Sequence, residues 1–104
     1  MSACLKHISM WRVRTGETVT KAQTVASLQE AVQRLRGRIP GLRSIELGID
    51  IGGPSDRSDV VLYTEFDALS DLAAYQDHED HLKLVALLST CRAETRVVDY
   101  FSER

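Results

Sequence analysis

The order of two-residue and helical periodicities along this 104-residue chain is the feature that most constrains its fold. Residues 42–51 alternate between a mostly apolar face and a polar or small one, which is typical of a half-buried strand. Residues 7–14 and 60–66 carry apolar side chains on both alternating faces and adjoin turn residues. With a further apolar run at 96–101, the sequence predicts four strands.

A long amphipathic helix is predicted between the first two strands. Apolar residues recur at helical spacing over residues 19–36, and Thr20 and Gln23 are placed as the N-cap and its capping-box partner. Gly37 and then Pro40 end this helix, because glycine favours a left-handed C-cap and proline cannot continue the helical hydrogen bonding.

A second helical region follows the third strand, after an exposed loop predicted at residues 52–59. Asp67 is placed as its N-cap. The apolar phase shifts at Asp77 and His78, where Asp77 could cap a new helix start. The pattern therefore predicts two short helices that meet at a break.

The resulting order is strand, helix, strand, strand, helix, strand, which predicts an α+β, ferredoxin-like βαββαβ fold with a four-stranded antiparallel sheet. Helices cover only one face of such a sheet. The first strand nevertheless places Ile8 and Met10 on one face, against Trp11 and Val13 on the other. We therefore expect a homodimer that pairs the uncovered sheet faces, because monomers rarely expose large apolar patches.

Composition narrows the class of protein. Hydrophobic residues make up 43% of the chain and charged residues 27%, as in ordinary globular domains, so we expect one domain over residues 1–104. A net charge of −2 is unlike the basic footprint of nucleic-acid binders. The start of the chain has no apolar run of signal-peptide length, and no stretch reaches the roughly 20 apolar residues of a membrane span, so a cytoplasmic protein is expected.

The two cysteines, Cys4 and Cys91, have neither the spacing of a disulfide framework nor that of a zinc site. We expect both to be free thiols, with Cys91 a small core residue. Four arginines cluster at residues 34–43, where a basic patch commonly complements a helix C-terminus.

Several short motifs together resemble the stress-responsive A/B barrel (Dabb) family of dimeric α+β barrels. The family's first strand is similar to KHISMWRV, its helix end and next strand to RGRIPGLRSIELG, its second helix to EFDALSDLAAYQDHEDH, and its last strand to TRVVDYF. The resemblance covers nearly the whole chain and implies the fold and the dimer. Two positions depart from it: Val60 stands where members often have histidine, and Glu79 replaces proline in the His-x-x-His segment.

The family includes the plant olivetolic acid cyclase, which closes a polyketide without a cofactor by using a tyrosine and a histidine in a pocket between helices and sheet. The resemblance places these roles on Tyr75 and His81, and a first-strand histidine on His7. Other residues of that pocket correspond to a differently shaped lining, namely Ser9, Trp11, Leu28 and Val32. On one continuous helix Tyr75 and His81 would be about 120° apart, so their convergence requires the predicted break.

Other interpretations of these residues stay open. His78 lies beside the site as a possible ligand contact, but its imidazole could equally cap the second short helix, and His81 and His7 could be hydrogen-bonded structural residues. A metal at His78 and His81 would need a third ligand from elsewhere. Trp11 is most simply a core residue.

Three classes of function remain. The first is a cofactor-free cyclase or isomerase, and the second is a small-molecule-binding stress protein without turnover. The third is a monooxygenase like those of related dimeric barrels, which fold analogy alone suggests. An interior closed by Trp11 would favour the second class, whereas an open pocket with Tyr75 facing His81 would favour the first.

Overall fold

The computed structural model describes residues 3–15 and 19–103. Its strands and helices, in chain order, are β1 (Ala3–Val13), α1 (Lys21–Leu35), β2 (Leu42–Ile49), β3 (Val60–Phe66), α2 (Leu69–Asp77), α3 (Glu79–Leu88) and β4 (Arg92–Glu103). The strands form one antiparallel sheet in the order β2-β3-β1-β4. This is the predicted ferredoxin-like βαββαβ fold, with α2 and α3 together in the place of its second helix. None of the helices in the described ranges is long and apolar enough to span a membrane.

The N-terminus of α1 confirms the capping box. The Thr20 hydroxyl accepts a hydrogen bond from the Gln23 backbone N–H at 3.1 Å, and the Gln23 side-chain carbonyl accepts one from the Thr20 N–H at 2.8 Å. Two N–H groups that have no partner within the helix are thereby satisfied. Past the C-terminus, Gly37 has a φ of 71°, the left-handed conformation that the sequence predicted there.

Two predicted caps were wrong. The N-cap of α2 is Ala68, which has no side-chain cap hydrogen bond, and the Asp67 carboxylate instead pairs with Arg43 Nε at 3.3 Å on β2. The cap of α3 is His78 rather than Asp77. In both cases the helix begins one residue later than a carboxylate cap would require.

The strand limits differ from prediction at two ends. β2 stops at Ile49, because Asp50 turns into the loop, where its carboxylate binds the Arg57 guanidinium at 2.7 and 2.8 Å. β4 begins at Arg92, four residues before the predicted start at Arg96. A bulge at Glu94, whose φ is 52°, interrupts the two-residue alternation and hides the early part of this strand from the sequence pattern.

The helices cover one sheet face and enclose the hydrophobic core. Alternate residues of β3 are buried, which puts Leu62, Thr64 and Phe66 under the helices. Register then puts Ser9 and Trp11 of β1 on the same face. The largest fully buried side chains include Trp11, Tyr75 and Phe66, and all three lie in this layer.

No helix of the described residues lies over the other sheet face. Cross-strand pairs bring together an apolar set that we call the open sheet face: Ile8, Met10, Val61, Tyr63, Val98 and Tyr100. Met10, Val98 and Tyr100 expose 38%, 51% and 44% of their surface. The second apolar face that the sequence predicted is therefore present and uncovered.

Candidate functional site

The break between α2 and α3 is centred on His78, which ends one helix and starts the next. Its backbone N–H donates to the Tyr75 carbonyl at 3.1 Å, and its Nδ1 accepts from the Asp80 N–H at 3.1 Å. The imidazole is thus used as a helix cap. The predicted break is confirmed, and the side chain of His78 has a structural role at the junction.

The break brings Tyr75 of α2 and His81 of α3 together. Their ring centroids are 4.2 Å apart with the planes tilted by 45°, and Phe66 packs against Tyr75 with a centroid distance of 5.1 Å. Tyr75 has no exposed surface. A change of helix direction has therefore produced the convergence that one continuous helix would prevent.

The hydrogen bond made by His81 shows which of its ring nitrogens is available to accept a proton. Nδ1 lies 3.2 Å from the carbonyl oxygen of Gln76, which can only accept, so Nδ1 carries the proton and Nε2 keeps a lone pair. Burial lowers the pKa of His81 below its ordinary value of 6.5, and electrostatic interaction with His7, Arg92 and His78 lowers it further. The bond to Gln76 opposes this shift in part. A neutral imidazole with a free Nε2 is a proton acceptor.

The phenol of Tyr75 is buried without a hydrogen-bond partner among the described residues. Burial raises its pKa to about 12, so the hydroxyl stays protonated at neutral pH. Trp11 Nε1 is likewise buried and has no hydrogen-bond partner among the described residues. Buried donors are almost always hydrogen-bonded in native proteins, and leaving one unpaired costs roughly 1–3 kcal/mol. Two such donors in one core layer indicate a place where a polar ligand atom could bind.

His7 belongs to a pair that the sequence did not predict. Its Nδ1 hydrogen-bonds the Asp99 carboxylate, which lies directly opposite on β4. A carboxylate accepts, so Nδ1 of His7 carries a proton. In the sequence, Asp99 stands out as the acidic residue within the apolar strand RVVDYF. That it pairs with His7 follows only from the register of β1 and β4. Thr64, opposite His7 on β3, is also fully buried and donates to the His7 carbonyl at 2.9 Å.

The remaining predicted lining residues lie on the covered face. Ser9 is buried on β1 between His7 and Trp11, and Leu28 and Val32 lie on the buried side of α1. Trp11 is 1% exposed. Tyr75 faces His81, which was expected of a cofactor-free enzyme. The interior is nevertheless closed by Trp11, which was expected of a binding protein without turnover, so the structure has one feature of each class.

Both cysteines are free and buried, and burial raises the pKa of each thiol. Within residues 3–15 and 19–103, no group of three or more His, Cys, Asp or Glu side chains is placed to hold a metal ion. His78 and His81 accordingly lack a third protein ligand in those ranges.

Comparison with known proteins identifies the relatives of this arrangement. Residues 5–102 match the family model of the stress responsive A/B barrel domain. No curated protein sequence is significantly similar to the chain.

Among solved structures, a dimeric ferredoxin-like protein from Bacteroides fragilis is 29% identical, with a TM-score of 0.76 over 93% of this chain and 94% of that one. A dimeric ferredoxin-like protein from Thermobifida fusca is 27% identical, with a TM-score of 0.81 over 96% and 92%. The hydroxynitrile lyase of Passiflora edulis shares the fold, with a TM-score of 0.81 over 100% and 97%, at 13% identity.

Proposed function

Because the chain belongs to the stress responsive A/B barrel domain (Dabb) family, we propose that it binds a small carbonyl compound between helices and sheet and acts on it by cofactor-free proton transfer. One observation carries this proposal: the buried Tyr75 hydroxyl has no hydrogen-bond partner among the described residues, and the Tyr75 ring centroid lies 4.2 Å from that of the neutral His81 imidazole. A donor kept protonated next to a base kept unprotonated is the arrangement that enolisation needs.

In this reaction the Tyr75 O–H donates a hydrogen bond to the carbonyl oxygen. His81 Nε2 takes a proton from the carbon next to the carbonyl, and the electron pair of that C–H bond moves into the enolate, whose negative oxygen the Tyr75 hydroxyl stabilises. Return of the proton to another carbon gives an isomer. Attack of the enolate carbon on a second carbonyl of the same ligand gives a ring, and the alkoxide formed there takes the proton back from His81, as in an aldol cyclisation.

The pair formed by His7 and Asp99 supplies a second polar group on β1. The hydrogen bond from His7 Nδ1 to Asp99 holds the His7 ring in one orientation and leaves Nε2 for a ligand. His7 is close enough to His81 to influence its pKa. We assign His7 the role of binding a hydroxyl or enol of the ligand, with Ser9 beside it on the same strand.

A second candidate function is binding without turnover. It is favoured by the closed interior, in which Trp11 and Tyr75 are 1% and 0% exposed. A ligand must displace part of this packing to enter. A protein of this kind would gain stability from its ligand but would leave that ligand chemically unchanged.

We further propose that the chain is a homodimer paired through the open sheet face. The support is the uncovered apolar set on β1, β3 and β4, together with the two related structures described as dimeric. Face-to-face pairing leaves the helices, and therefore the Tyr75 site, on the outer side of each sheet. Each copy then carries its own complete site.

Proton exchange tests the enzymatic proposal directly. The protein is incubated in D₂O with a panel of small ketones and 1,3-diketones, and loss of the protons next to the carbonyl is followed by NMR. Proton transfer by a positioned side chain contributes about a hundredfold to ten-thousandfold, so His81→Ala and Tyr75→Phe should each slow exchange on that scale.

The matched control is Tyr100→Phe, because Tyr100 is an exposed tyrosine on the opposite sheet face. It should keep the wild-type exchange rate. Full activity in folded His81→Ala would overturn the proposal. Binding by thermal shift with no exchange of any bound compound would favour the non-enzymatic function instead.

A further inference from the structure

A hollow lies on the outer side of the molecule, between α1 and α3. Its volume is about 320 Å³, and it is separate from the interior around Tyr75. Its floor is made by buried apolar side chains of both helices, including Leu35 and Leu84, which are 1% and 3% exposed. It faces away from the open sheet face, so it stays accessible when two copies pair there.

Three cations line this hollow: Arg34 and Arg38 from α1 and its C-terminal extension, and Lys83 from α3. Only one carboxylate, Asp80, joins them. Asp80 lies 3.4 Å from Arg38 Nε, so its charge is already offset within the protein. The hollow is therefore positive in a chain whose net charge is −2.

Arg34 and Lys83 are the two cations left for a ligand. Arg34 has no ion-pair or hydrogen-bond partner among the described residues. Lys83 is 3.8 Å from Glu79, but both groups are largely exposed, and ion pairs of that kind contribute little. The helix dipole explains a cation such as Arg34 in the last turn of α1, but not why Lys83 of another helix lines the same apolar-floored hollow.

We propose that the α1–α3 hollow is a binding site for a small amphiphilic carboxylate, whose apolar body lies on the leucine floor and whose carboxylate lies between Arg34 and Lys83. An apolar floor alone would suit any hydrocarbon, and exposed cations alone would attract any anion weakly. Their combination selects a molecule that carries both features. This site is independent of the reaction proposed at Tyr75 and His81.

Octanoate is the probe, titrated into the full-length protein while amide shifts are followed by two-dimensional NMR. We expect saturable shifts confined to α1 and α3. Octan-1-ol keeps the apolar body without the charge and should bind about fivefold to tenfold more weakly. Acetate keeps the charge without the apolar body and should bind at least about a hundredfold more weakly.

The double variant Arg34→Gln with Lys83→Gln should weaken octanoate binding about fivefold to tenfold, and it removes no buried contact. Arg36→Gln is the matched control, because Arg36 belongs to the same basic cluster but does not line the hollow. It should leave octanoate binding unchanged. Equal weakening by Arg36→Gln, equal affinity for octan-1-ol, or shifts centred on Tyr75 and His81 would each overturn the proposal.

Discussion

The hydroxyl of Tyr75 is held where it destabilises the ligand-free protein. It is buried and without a hydrogen-bond partner among the described residues, at a cost of roughly 1–3 kcal/mol. A phenylalanine would fill nearly the same volume beside Phe66 and His81 without that penalty. Retention of the hydroxyl is understandable if a bound ligand supplies the missing partner.

Tyr75→Phe should therefore leave the free energy of unfolding unchanged or raise it by up to about 1 kcal/mol, while lowering turnover. Urea denaturation of the ligand-free protein checks this, with Tyr100→Phe on the open sheet face as the control, which keeps its ring in the proposed interface. A loss of more than about 1 kcal/mol would mean that the hydroxyl has a stabilising partner, contrary to its proposed role.

The titration of His81 should be visible in the pH dependence of stability. Its pKa is lowered in the folded protein, so the unfolded chain binds more protons as the pH falls through 6.5. The stabilising contribution of neutral His81 to the free energy of unfolding is thus fully present above pH 6.5. It is lost progressively as the pH falls towards the lower pKa of the folded protein. His81→Gln removes this dependence and keeps a polar side chain.

The stability of the wild type relative to His81→Gln should rise as the pH is raised from the folded pKa towards 6.5 and then level off. Denaturation at a series of pH values measures this difference. A difference that falls as the pH rises would show that the folded protein favours the imidazolium. That result would also remove His81 as a base at neutral pH.

At the scale of elements, the sequence located the helix break but misplaced its cap. The change of apolar phase at residues 77–78 was readable because each short helix buries its own stripe. Asp77 was preferred because carboxylates are common N-caps, whereas His78 fills the role with an imidazole nitrogen. Asp99 could not be predicted at all, since its importance depends on pairing with His7 across strands that are 92 residues apart.

The turn between α1 and β2 contains two glycines, and it depends on Gly41 more than on Gly37. Gly41 has a φ of 80°, and an added Cβ would lie 2.6 Å from the Cβ of Asp71 on α2. Gly37 has a φ of 71° but open space around it. At both positions the positive φ makes any side chain unfavourable, and at Gly41 a side chain would also clash with Asp71.

Gly37→Ala should cost about 1–2 kcal/mol from the left-handed conformation alone, and Gly41→Ala should cost clearly more. Thermal and urea denaturation of the two variants, side by side, measure the difference. Equal losses would mean that α2 can move away from the turn without penalty. The site would then be less rigidly held than its packing indicates, because the same helix carries Tyr75.

At the scale of the whole molecule, the two sheet faces are unequally covered. Val97 and Val98 are neighbours on β4 that point to opposite faces and are 56% and 51% exposed. Val98 belongs to the open sheet face and pairs with Ile8, whereas Val97 pairs with Ser9 on the helix side. These two valines form a matched pair for testing the proposed dimer.

We expect the wild type to sediment as a dimer at micromolar concentration. Val98→Asp should weaken the dimer at least about a hundredfold, because each copy would bury an unpaired carboxylate in the interface. Val97→Asp should leave the dimer intact. A wild type that is monomeric at micromolar concentration, or equal dissociation of the two variants, would contradict pairing through the open sheet face.

The proposed reaction depends most on the protonation of the pair at the helix break, with Tyr75 as donor and His81 as acceptor. Long-range ¹⁵N–¹H NMR of the imidazole rings reports which nitrogen carries the proton. At pH 7 we predict a neutral His81 with the proton on Nδ1, towards Gln76, and none on Nε2. A proton on Nε2, either in the other tautomer or in an imidazolium, would contradict the account.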